Sequence, residues 1–108
     1  MTGLYILIDG KAEPTDDINL WGLGMSDNNI KFNKFGDSNV STVFLGMDHS
    51  LRGEDPVLFE TQVFGGEHDG YIDRYHTLED SIIGHDTICE MVDKIRIDRE
   101  NKLNNILP

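Results

Sequence analysis

Hydrophobic positions fall in short runs through most of the chain and then in one long periodic segment. Leu4-Tyr5-Ile6-Leu7-Ile8 is a continuous apolar run ending in Asp9-Gly10, which reads as a buried strand and a tight turn. Pro14 and the Asp16-Asp17 pair interrupt the pattern. Either aspartate is placed to cap a short helix over residues 18–23, weakened by Gly22 and Gly24, with Trp21 as a core anchor. Residues 26–29 and 36–39 are turns, and between them Ile30, Phe32 and Phe35 suggest a strand. Residues 40–47 form a strand by their β-branched and aromatic content, and the short turn before them argues an antiparallel hairpin. Residues 48–56 are a loop with Arg52, Gly53 and acids. In the strand at 57–64 the two faces separate by parity. Val57, Phe59, Thr61 and Val63 form the core face; Leu58, Glu60, Gln62 and Phe64 form the other. Gly65-Gly66 ends it, a polar loop follows, and residues 71–76 suit a short edge strand.

Thr77 opens the longest element. Its hydroxyl sits at the N-cap with a carboxylate three residues on, and Glu79 and Asp80 suit the positive end of a helix dipole. The apolar stripe runs through Leu78, Ile82, Cys89, Val92 and Ile95, with His85 on it and Ile88 and Met91 widening it. Lys94, Arg96 and Arg99 favour the far end, so the helix is expected to stop near Asp98. The summed pattern is an α+β domain over residues 1–100: an antiparallel sheet of three to five strands with one long C-terminal helix packed on a face. Residues 101–108 are expected to be a flexible tail that offers Leu103, Ile106 and Leu107 for docking.

A chain of 108 residues is one domain. No run approaches the ~18 apolar residues of a membrane span, and the 5–8 stretch is too short for a leader core, so a cytoplasmic protein starting at Met1 is expected. Cys89, the single cysteine, allows no intrachain disulfide and reads as a small buried hydrophobe. The net charge is −11, and most of it is local: residues 48–93 hold twelve acids against Arg52 and Arg74. Such a field repels phosphate, which argues against direct nucleic-acid binding and favours a basic protein surface, unless it serves only solubility.

Candidate chemistry is sparse. His85 is read either as a core imidazole bonded to a backbone group or a tyrosine, or as one of two imidazoles meeting His49 and a carboxylate, Asp48 or Glu60. Gly84 beside it allows a close approach of the helix. The second account makes Asp48, His49 and His85 a metal set, though no spacing matches a metal motif. His68 and His76 read as surface residues. Arg74 pairs with Glu60 or Asp73 at the sheet edge, or else reaches an anionic ligand. There is no nucleophile elbow or phosphate loop, and no cofactor is expected.

Four pieces carry a resemblance: residues 5–11 ending in Asp-Gly-Lys, residues 40–49, residues 56–66, and Arg74-Tyr75-x-Thr77-x-Glu79 followed by Gly84-His85. On them the chain resembles a family of small uncharacterised proteins of bacteriophage genomes and prophages, over most of its length. The family has no established activity. The resemblance implies a phage-type origin, life in the host-cell cytoplasm, and motif residues Asp48, His49, Glu60, Arg74 and His85 with open roles. Three functions follow as expectations. The first is a non-enzymatic binding module that modulates host machinery or host defence, through its acidic face or through a small pocket near His49, Glu60, Arg74 and His85; its partner is a basic protein or a small ligand. The second is a small metal-dependent hydrolase using Asp48, His49, Glu60 and His85. The third is a structural or assembly accessory that forms a homodimer.

Overall fold

The computed structural model describes residues 3–50, 53 and 55–106, with side chains for all of these except 95, 96, 99, 100 and 103–106. The chain begins with a hairpin of β1 (Tyr5–Ile8) and β2 (Lys11–Pro14). Asp9 and Gly10 both take positive φ, 50° and 80°, as a two-residue turn matched to strand twist requires. The strand β2 was not legible in the polar sequence Lys-Ala-Glu-Pro. Nor is β1 fully buried as its apolar run implied: it pairs only with β2, and Ile8 is 50% exposed.

Helix α1 (Ile18–Met25) follows, with Asp17 as its N-cap: the carboxylate accepts from the backbone N–H groups of Asn19 and Leu20 at 3.1 and 3.0 Å. Trp21 is half-buried rather than a core residue, and its indole N–H donates to the Gly46 carbonyl at 2.9 Å. Leu4 bridges Met47, and the Tyr5 N–H donates to the same Gly46 carbonyl at 2.9 Å. These contacts stitch the hairpin and α1 to the end of the main sheet.

That sheet has four antiparallel strands in sequence order: β3 (Asn29–Phe35), β4 (Ser38–Phe44), β5 (Phe59–Phe64) and β6 (Ile72–Tyr75). β4 ends short of the expected Met47 because Gly46 turns the chain at φ 71°. The register places Asn33 against Val40, Thr42 against Thr61, and Phe59 against Tyr75. Opposed residues in such a ladder share a face, and this one packs under the long helix α2 (Leu78–Ile106). Thr77 caps α2, its hydroxyl accepting from the Asp80 N–H at 3.1 Å.

One buried cluster joins Val40 and Val63 to Ile88 and Val92 of α2; a second joins Phe44, Leu58, Phe59 and Tyr75, with Tyr5 and Leu7 of the hairpin against it. Leu58, assigned by parity to the outer face, is therefore buried where the hairpin meets the sheet. The parity of β5 itself holds: Phe59, Thr61 and Val63 are buried, and Glu60 and Gln62 lie on the other side. Two corrections concern α2. It continues through Ile106, well past Asp98, and Leu107 lies outside the described residues. Its inward line is Ser81, His85, Ile88 and Val92, whereas Ile82 is 38% exposed and Ile83 65%. The turn that faces the sheet is rotated from the one the apolar count suggested.

Candidate functional site

The buried side of the sheet carries an unbroken polar row. Tyr75 on β6 donates its hydroxyl to Thr61 Oγ1 at 3.1 Å, Thr61 and Thr42 Oγ1 lie 2.5 Å apart, and Thr42 Oγ1 is 2.7 Å from His85 Nδ1. His85 Nε2 is 2.8 Å from Asn33 Oδ1 at the sheet edge. One assignment of protons satisfies every member. Asn33 Oδ1 only accepts, so Nε2 holds the imidazole proton; Nδ1 then accepts from Thr42, Thr42 from Thr61, and Thr61 from Tyr75. The imidazole is neutral in this arrangement, and its pKa lies below the usual histidine value of 6.5, chiefly because burial disfavours the cation and secondly because Lys31 repels it. Burial likewise raises the Tyr75 phenol above 10.0.

Gly84 makes this row possible. A Cβ at that position would overlap the Tyr75 ring, so the glycine lets α2 descend far enough for His85 to reach Thr42. His85 is fully buried and both of its nitrogens are engaged. The row positions α2 against the sheet; it presents no free base to a substrate.

The other sequence candidates lie elsewhere. Glu60 and Arg74 pair on the opposite face of the sheet, Nε to Oε2 at 2.9 Å, which is the edge pairing expected of Arg74. Asp48 tightens its loop by accepting from the Ser50 and Val57 N–H groups at 2.7 and 3.0 Å; these bonds hold its carboxyl below the usual aspartate value. His49 is exposed beside it, its backbone N–H donating to the Val57 carbonyl at 3.0 Å. The structure therefore brings Glu60 to Arg74 and Asp48 next to His49, but it unites neither pair with His85. Among the described residues, no three His, Cys, Asp or Glu side chains converge as metal ligands. The proposed ligand set His49, Glu60, Arg74 and His85 does not form one pocket, and the hydrolase set is dispersed in the same way.

His76 is exposed, as expected of a surface residue, and His68 is half-buried. The His76 ring nitrogen Nδ1 is 2.9 Å from the Pro56 carbonyl and so carries a proton, and the ring borders a cleft of about 470 Å³ shared with Tyr5, Lys11 and Leu78. His68 Nε2 is enclosed with no hydrogen-bond partner among the described residues. Burial pushes the half-buried Cys89 thiol above its ordinary pKa of 9.0, which keeps it protonated.

What the apolar count missed is the outward face of α2. At 100° per residue, Glu79, Ile83, Asp86, Glu90 and Ile97 fall on one side, and all five are exposed. Asp86 is paired with Lys31 at 2.6 Å. Residues 78–93 contain five acids and no lysine or arginine. Two isoleucines on the solvent side of a charged helix are the signal that could have marked this face in the sequence. No family model, curated protein or solved structure matches the chain.

Proposed function

We propose that this chain is a non-enzymatic binding module, a small phage-type accessory protein that docks a basic host protein on the outer face of α2. The observation that carries the reading is Ile83, 65% exposed and flanked along the helix by Glu79, Asp86 and Glu90. An apolar anchor within a charged rim is the arrangement that protein interfaces use: the centre excludes water and the rim selects the sign of the partner. The concentration of acids between residues 48 and 93 supports a basic partner and would steer it at low salt. Dispersal of the candidate catalytic side chains favours binding over hydrolysis.

The test is capture of host-lysate proteins on the immobilised full chain, at low and at raised salt, alongside Ile83→Ser. The reading expects a protein that is held at low salt, released as salt screens the acids, and not held by Ile83→Ser. Capture that is indifferent to both changes refutes it.

A further inference from the structure

We infer that the cleft between β1 and α1 binds a small organic cation, a protonated amine carried on an apolar body. The cleft holds about 450 Å³, within the range of small-molecule sites. It shares no residue with α2, so it stands apart from the docking face proposed above. β1 and α1 supply its walls, and the buried Phe44 of β4 joins the lining. Folding leaves much of this surface uncovered. α1 carries Ile18, Leu20, Trp21, Leu23 and Met25, yet it has no buried residue. Leu20 and Leu23 are 46% and 74% exposed, and the half-exposed Ile8 lines the same cleft. An apolar patch left open in this way marks a place where a ligand supplies the missing cover. Gly46 holds the arrangement in place. The Trp21 indole N–H donates to its carbonyl, and a Cβ on Gly46 would overlap Met25 Sδ. This anchor fixes α1 beside the end of the main sheet, so the cleft is preformed.

The lining selects the class of ligand. Among the described residues, no lysine, arginine or histidine lines the cleft, and one carboxylate, that of Asp27, does. Asp27 is exposed and its carboxylate has no hydrogen-bond or ion-pair partner among the described residues. Donors on the walls are already engaged. The Asn28 amide nitrogen donates to the Phe44 carbonyl at 3.1 Å, and the Trp21 indole donates to Gly46. Asn28 Oδ1 and the Asp27 carboxylate remain as acceptors. Three aromatic side chains, Tyr5, Trp21 and Phe44, share the lining, and the face of such a ring attracts a cation. Acceptors, one negative charge and aromatic rings are complementary to an ammonium group and repel a carboxylate or a phosphate. The net charge of −11 acts in the same direction. Ile6, Leu7, Ile8, Leu20 and Leu23 then demand an apolar body behind the charge.

Three probes built on one phenylethyl body test the assignment: phenethylamine, phenethyl alcohol and hydrocinnamate, which at neutral pH are cationic, neutral and anionic. Each is titrated into the full chain, and binding is read from the emission of Trp21, the single tryptophan, which lines the cleft. The amine should saturate with a Kd about tenfold or more below that of the carboxylate, with the alcohol between them. Asp27→Asn, at an exposed position, should bring the amine to the level of the alcohol. Gly24→Leu should abolish binding of all three. A Cβ at Gly24 lies 3.9 Å from Ile6 in ordinary contact, so a longer side chain there enters the cleft while the helix gains propensity and the fold stands. An amine that leaves Trp21 emission unchanged, or equal affinity for the three probes, overturns the inference. So does amine binding that survives Gly24→Leu, since the acidic surface at large would then be holding it.

Discussion

Replacing His85 by Gln should remove a pH dependence of stability that the wild type carries. The folded imidazole has a lowered pKa, with burial as the main cause. In the unfolded chain it titrates near 6.5. Above that value both states are neutral and the contribution of His85 is fully present. As pH falls below it, the unfolded chain takes up a proton that the folded protein refuses, so stability falls until the folded pKa is reached. The slope cannot exceed about 1.4 kcal/mol per pH unit for one group. Within the site, protonation would aim an Nδ1 proton at a Thr42 hydroxyl that already donates there, and the row would have to reverse as far as Tyr75. Asp48 and Asp86 are carboxylates held below 3.8, so their contributions are lost only at pH values below those at which the His85 contribution begins to fall. Urea unfolding followed by the fluorescence of Trp21, the single tryptophan, and by far-ultraviolet dichroism supplies the measurement. The Gln variant should lose about 1–3 kcal/mol at neutral pH through poorer hydrogen bonds and should show a flatter profile as pH falls below about 6.5. An unchanged slope in the variant refutes the assignment of a neutral, buried His85 as its source.

Two further predictions concern packing and charge. Gly84→Ala ought to gain about 1 kcal/mol from helix propensity alone, yet the added methyl meets a Tyr75 ring pinned by Thr61, so a net loss of about 1–3 kcal/mol is expected; a rise in melting temperature would contradict the close approach. The Glu60–Arg74 pair has side chains 16% and 48% exposed, so a double-mutant cycle with Glu60→Gln and Arg74→Gln should give a coupling of under about 1 kcal/mol that shrinks in salt, and a larger, salt-insensitive value would mean that the pair is shielded.

Local chemistry was written plainly in the chain. Asp9-Gly10 specified its turn, Asp17 and Thr77 their helix starts, the alternation from Phe59 to Phe64 its core face, and Gly84 a close approach. Each depends on residues within a few positions of one another, where backbone sterics and hydrogen-bond reach decide the outcome. The α+β class followed from adding these elements together. The inward phase of α2 did not follow. Hydrophobic periodicity turned Ile82 inward, but the sheet presents Thr42 and Thr61 at the point of contact. A buried hydroxyl pair needs a polar partner, and His85 supplies it from the helix. That rotation left Ile83 in solvent, while strand alternation by itself puts Glu60 and Arg74 on the far side of the sheet from His85. Which side chains meet was settled only when the strands paired, because pairing fixes the hydrogen-bonding needs of the surface on which the helix lands.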